Sequence, residues 1–300
     1  MTPCLLALDT STDRLAAALQ TPAGRWCVNE AGGALASARL VPLLMSLLAD
    51  AGVVLAQVHA IAFGQGPGAF TGLRTACAVA QGLAFAGNTP VLAIDSLLIV
   101  AEDARAQAAA AGLPTDGDWW VAIDARIDEV YAAAYRHNGQ GDQGGQIGGH
   151  DHDGDSRPAG WQLQVAPRLW TLPALVDAWA TAPPARVAGN ALAVFGDRLP
   201  APGASAWPHC VDRAAALLRL AEQAWQRGEG RAADQALPIY LRDKVAQTTA
   251  ERQALRDAST STSTSTNTNA KADPGTATTT TAAAASPLAR PPGAPAALST

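Results

Sequence analysis

Lysine is nearly missing from this 300-residue chain, which has only Lys244 and Lys271 and a formal net charge of −5. With no basic stripe interleaved with aromatics, tight binding of nucleic acid by this chain alone is not expected. No apolar run approaches the roughly 20 residues a membrane span needs, and "MTPCLLALDTSTDR" meets acid at Asp9 with no basic region before it. Neither anchoring nor export is therefore expected, and a cytoplasmic location is. Cys4, Cys27, Cys77 and Cys210 are scattered without CxxC spacing. Three of them lie in apolar or amphipathic stretches, where free cysteine acts as a small hydrophobe.

Catalytic and metal-binding patterns are equally scarce. His59 and His209 stand alone and no HxxxH pair occurs. "DHDGDS" puts Asp151, Asp153 and Asp155 at the first, third and fifth positions of an EF-hand loop, but the sixth position is Ser156 and the twelfth is Gln162. Adventitious metal binding is the most this pattern supports, so neither a metal nor a cofactor is assigned. No GxSxG elbow or Cys/His pairing is evident, and Asp124 and Asp128 have no acid/base partner in sequence. No catalytic residue is assigned.

What is present is 48% hydrophobic content, enough for a large core, and the length favours two lobes at roughly 100 to 200 residues per domain. "LALDTSTDRLAAAL" and "VAIDARIDEVYAAAY" align when Asp9 is laid over Asp124. Each reads apolar strand, Asp at the turn, a second acid four residues on, then another strand, which suggests a duplicated unit opening on a hairpin. "AIAFG" (60–64) and "PVLAID" (90–95) read as buried strands followed by helices, an α/β pattern. The expected division is a lobe over 1–112, a second lobe over 113–246 and a disordered tail over 247–300. The second lobe carries a Gly/Asp/His-rich insertion at 137–160, and the Ser/Thr/Ala/Pro-rich tail lacks large apolar side chains to offset ordering entropy.

Two helices are expected in the first lobe. In one, Leu40, Leu44, Leu47, Leu48 and Ala51 form an apolar face, with Ser37 as N-cap, Pro42 near the first turn and Gly52 as terminator. The other runs from about Ala69 to Ala86 and is rich in small residues. Core packing explains either face alone, while two apolar flanks on a helix raise the prospect of a partner. Between strand and second helix lies "GQGPGAFTGLR". It lacks the spacing and lysine of a P-loop, and Thr71 stands where a dinucleotide fingerprint needs its third glycine. It reads as a structural turn of Gly66, Gly68, Phe70, Thr71, Gly72 and Arg74, with Gly66 and Gly68 free to take φ > 0 and Thr71 able to cap helix N–H groups. Arg74 is the cation available there, for a carboxylate on a partner or for a structural ion pair. Asp9, Thr10 and Ser11 form a hydroxyl-rich turn that either caps a hairpin or faces a nucleotide. "LPIYLRDKVA" (237–246) reads as a strand or arm packed on the lobe, with a partner contact as alternative.

Together "LLALDTST", "SARLVPLL", "AIAFGQGPGAFTGLRTACAVAQGLAFA", "AIDARIDEVYAAAY" and "PIYLRDKVA" resemble the TsaB (YeaZ) family of bacterial threonylcarbamoyladenosine biosynthesis subunits, in the glycoprotease-like group. The resemblance implies an ASKHA (actin, sugar kinase, Hsp70) fold of two duplicated α/β lobes with mixed sheets flanked by helices. It also implies a non-catalytic partner of the paralogue TsaD, with the ATPase TsaE as third member. In that family TsaD attaches threonylcarbamoyl to N6 of adenosine 37 in ANN-decoding tRNAs, so tRNA is met only through the complex. The family's helical bundle carries over onto Ser37, Leu40, Leu44, Leu47, Leu48, Thr75, Val79 and Leu83, and a homodimer through the same helices when TsaD is absent is a third reading. Many relatives have His where Ala36 stands and Ser where Ala69 stands, which removes any capping role there. The competing reading is an independent ATP-dependent enzyme or peptidase of the same group.

Overall fold

The structure, a computed structural model, describes residues 2–33, 36–139 and 160–242. The core of the 137–160 insertion, the aspartates at 151, 153 and 155 within it, and the tail fall outside the described residues.

Two five-stranded mixed sheets form the frame. In the first, β1 (Leu5–Asp9) pairs antiparallel with β2 (Arg14–Thr21), which pairs antiparallel with β3 (Gly24–Ala31). On its other side β1 runs parallel to β4 (Ala60–Gly66), and β4 parallel to β5 (Val91–Asp95). The second sheet repeats the plan with β6 (Gly117–Arg126), β7 (Glu129–Asn138), β8 (Gly160–Thr171), β9 (Arg186–Ala188) and β10 (Ser205–Trp207). Its order, β8-β7-β6-β9-β10, matches β3-β2-β1-β4-β5 strand for strand, with the same antiparallel and parallel pairings. The two Asp-bearing segments aligned in the sequence are thus the opening hairpins of two copies of one fold.

The connecting helices repeat too. α1 (Ala36–Asp50) and α2 (Phe70–Gly87) link β3 to β4 and β4 to β5, as α4 (Leu172–Thr181) and α5 (Ala191–Phe195) do in the second copy. Each copy closes with a further helix, α3 (Ser96–Ala110) and α6 (Arg213–Gln226). β1 is buried along its whole length because both sheet faces are covered, so its sequence is an apolar run rather than an alternation. Leu6, Leu8, Ile61 and Phe63 face α1 and α2. Leu5, Ala7, Ala60 and Ala62 face the other way, onto Leu217, Leu220, Ala221 and Ala224 of α6. α3 packs Leu97, Val100 and Ala104 against Trp119 and Val121 of the second sheet, whose outer face is closed by α4 and α5. The layers run α1/α2, first sheet, α6/α3, second sheet, α4/α5. α6, late in the chain, is the inner cover of the first sheet.

Two local expectations are corrected. α1 begins at Ala36, so Ser37 is inside the helix rather than its cap, and Pro42 lies in the helix interior rather than near the first turn. Proline there leaves the Ala38 carbonyl without its helical N–H donor, which is tolerable because Pro42 faces outward. Gly52 ends α1 as expected, at φ +65° with its N–H bonded to Ala49 O.

Candidate functional site

The glycine turn is shaped by close approach to the β1–β2 turn. A Cβ on Gly72 would overlap Thr10 O, and one on Gly68 would overlap Ser11 O, so neither position accepts a side chain. Thr10 Oγ1 donates to Gly72 O at 2.6 Å, and Ala69 N–H to Ser11 O at 2.7 Å. Gly66 takes φ +112°, as expected, whereas Gly68 is not among the positive-φ glycines, and the Gly66–Pro67 peptide is cis. Thr71 caps nothing: Ala69 is the N-cap, without a side-chain bond, and Thr71 lies one residue inside the helix, its carbonyl accepting Thr75 Oγ1.

Asp9, Thr10 and Ser11 are buried beneath this packing. Ser11 N–H and Oγ–H both donate to Asp9, and Arg213 of α6 donates from Nε to Asp9 Oδ2 and from Nη2 to Ser11 Oγ and Ser96 O. The guanidinium and the carboxylate neutralise one another out of contact with water. The turn thus closes on the protein's own arginine. Arg213 was invisible to sequence reasoning, because nothing in "DRAAALLRL" distinguishes it from a surface arginine. Next to this pair Asp95 caps α3 through the Leu97 N–H and accepts Tyr135 Oη–H at 2.6 Å. Burial pushes the Asp95 carboxyl above its usual range, against these hydrogen bonds and the nearby Arg213. Burial and then the Asp95 charge hold Tyr135 well above the normal phenol value. The Cys77 thiol of α2 is pushed up to about 12 by burial, which keeps it protonated and unreactive.

The Leu40, Leu44, Leu47 and Leu48 face of α1 is core, closed against the first sheet. These four side chains are not available to another chain. Val79, Leu83 and Thr75 are half-buried on α2, and Ser37 is exposed. What lies open is the opposite stripe. On α1 it holds Ala38, Val41, Pro42, Met45 and Ala49, and on the adjoining α2 it holds Ala78, Gly82, Phe85 and Ala86. The spacings i, i+3, i+4, i+7, i+11 and i, i+4, i+7, i+8 put each set on one helix face. Phe85 is 83% exposed, Val41 40% and Met45 39%. Neither stripe contains a charge. Sequence periodicity found the stronger apolar face and passed over this weaker one of small residues. At the head of α2, Arg74 lies over the Phe70 ring at 4.0 Å and donates to Tyr240 Oη at 3.0 Å, rather than to a carboxylate. The described part of the arm, 237–242, packs on the turn, as "LPIYLRDKVA" was expected to pack on the lobe; residues 243–246 lie outside the described residues.

Among the described residues no group of three or more His, Cys, Asp or Glu is placed to hold a metal ion. No helix among them is long and apolar enough to cross a membrane.

The fold as a whole has counterparts among solved structures. The structure titled "YeaZ from Pseudomonas aeruginosa" matches with a TM-score of 0.64 and 37% identity, covering 80% of this chain and 100% of that one. The chain belongs to the TsaB/YeaZ family. A second TsaB/YeaZ-like structure, titled as an uncharacterized protein with similarity to peptidase YEAZ from the same organism, matches at TM-score 0.65 and 37% identity over the same shares. The proteins named tRNA threonylcarbamoyladenosine biosynthesis protein TsaB from Escherichia coli and Haemophilus influenzae are similar too. The first is 29% identical over 81% of this chain and 96% of its own length. The second is 42% identical over 42% of this chain, a match that spans about half of the relative's length. A family model described as "TsaD: tRNA N6-adenosine threonylcarbamoyltransferase" matches residues 33–167. The two mixed sheets with flanking helices are the ASKHA-like α/β fold that the family resemblance implied.

Proposed function

We propose that this TsaB-family chain is a non-catalytic cytoplasmic subunit. It binds and activates the paralogue TsaD, with the ATPase TsaE as third member, for N6-threonylcarbamoylation of adenosine 37 in ANN-decoding tRNAs, and it meets tRNA only within that complex. The observation that carries the reading is the uncharged, small-residue stripe of α1 and α2, left open on a chain similar to proteins named for threonylcarbamoyladenosine biosynthesis. A face without charges desolvates cheaply, and alanine and glycine let a second helix pair approach closely. Within this proposal the docking residues move from the buried leucines to Val41, Met45, Ala78, Gly82 and Phe85, with Ser37, Thr75, Val79 and Leu83 at their margins. The first lobe, 1–112, supplies the surface, and 113–246 completes the fold. The same stripe would pair with a second copy when TsaD is absent. The enzyme alternative is weakened by the burial of Asp9, Thr10 and Ser11 against Arg213.

The test places charge on exposed positions, because Leu44→Asp would put a carboxylate in the core. Met45→Asp and Ala78→Arg are expected to keep the wild-type unfolding temperature while losing co-purification with TsaD. They should also lose threonylcarbamoyl transfer in a reaction reconstituted from TsaD, TsaE and tRNA. Wild-type capture by both variants, or equal transfer without this chain, would overturn the proposal.

A further inference from the structure

The arm at 237–242 touches both halves of the molecule. At its near end Ile239 N–H donates to Gln65 O at 2.8 Å and Gln65 Nε2 to Leu237 O at 3.1 Å, which ties the arm to the end of β4 through one backbone and one side-chain hydrogen bond. A Cβ on Gly66 would stand 2.9 Å from Ile239 O, so that glycine admits the arm. Tyr240 lies on the Phe70 ring at 5.1 Å and accepts the Arg74 bond. At its far end Arg242 Nη2 donates to Ala125 O at 2.8 Å and pairs with Glu129, on the two sides of the β6–β7 turn. That turn carries three successive residues with positive φ, Arg126 at 69°, Ile127 at 56° and Asp128 at 54°. A β-branched residue in this conformation persists only where its surroundings over-determine it. Arg242 on the Ala125 carbonyl, Asp124 on the Arg126 N–H and Arg198 on Asp128 supply that constraint. Three residues, about 10 Å of extended chain, thus join the C-terminal end of β4 to that of β6.

We infer that residues 237–242 are a two-ended latch. It ties the two sheets together across the C-terminal ends of β4 and β6, fixing the head of α2 and the strained β6–β7 turn as one unit. The two ends differ in chemistry. The near end is one backbone bond, one glutamine side-chain bond and a ring contact, and the far end is a single guanidinium nitrogen, Nη2, shared between a carbonyl and a carboxylate. Because one short segment carries both, release at either end frees the other. The latch stands whether or not the exposed stripe binds a partner.

Hydrogen exchange on the full chain tests it, comparing wild type with Tyr240→Ala and Arg242→Ala. Tyr240→Ala is expected to speed exchange of the Arg126 amide, at the far end, by roughly tenfold or more, the scale of one lost charge-assisted hydrogen bond. Arg242→Ala should do the same to the Ile239 amide at the near end. Amides of the central strands, such as Leu6 and Ile61, should keep wild-type rates, which separates latch release from general loss of stability. Effects confined to the substituted end would overturn the latch, as would equal acceleration everywhere. If Arg242→Ala does not fold, Arg242→Lys decides in its place: it keeps the charge but not the planar, fixed donor geometry of the guanidinium, and should produce a smaller transmitted effect at Ile239. No transmitted effect there would likewise overturn it.

Discussion

Asp9 and Arg213 are 204 residues apart in the chain and meet in a buried hydrogen-bonded pair. Removing one partner leaves the other charge buried without compensation, which costs about 3–5 kcal/mol, whereas replacing both removes the uncompensated charge. Arg213→Ala and Asp9→Asn are each expected to lower the urea midpoint strongly. The Asp9→Leu/Arg213→Met double variant should lose clearly less than the sum of the matching single changes. Additive losses would argue that the two side chains do not act as a pair. The same geometry bears on the enzyme alternative. Asp9→Ala strips a buried arginine of its carboxylate, so loss of any activity in that variant reports stability as well as chemistry. The sequence shows an acid in a hydroxyl-rich turn and leaves capping and nucleotide contact open; it gives no sign of the arginine that bonds the acid.

At the scale of elements, α1 and α2 are each apolar on two sides, and the heavier side of α1 went inward. Leu44 is fully buried and Met45, its neighbour in sequence, is 39% exposed. Leu44→Ala is therefore expected to cost about 2–5 kcal/mol in chemical denaturation. Met45→Ala should stay within about 0.5 kcal/mol of wild type. Equal losses from the two would mean that the outward stripe is also packed. The helical spans, the Gly52 stop and the α/β alternation were legible in the sequence because they rest on local periodicity and turn chemistry. The role of Thr71 was not, because a nearby hydroxyl residue is a poor guide to a cap when the chain enters the helix from a tightly packed turn; nor was the place of Ser37, which lies inside α1.

For the whole molecule, the duplication is topological and the packing is not modular. The first sheet takes its inner cover from α6, through Leu217, Leu220, Ala221 and Ala224, while α3 packs on the second sheet. A fragment ending at 112 would expose the inner faces of β1 and β4, which are fully buried in the intact chain. It is expected to be insoluble, or to lack a cooperative unfolding transition in circular dichroism, and to recover both when 113–242 is supplied as a second chain. Cooperative unfolding of the fragment alone would show that α6 is dispensable.

The amino-acid sequence by itself determined the local elements, the paired Asp-bearing hairpins, the tightness of the glycine turn and the family resemblance, since each is written in residues near one another. Which face of α1 stays open, which arginine neutralises Asp9, where α6 lies and what the 237–242 arm holds together were decided only by the tertiary structure. Periodicity states that a helix has apolar sides but not how many neighbours will cover them. Pairing across two hundred residues depends on the packing of sheets and helices, and no local pattern records it.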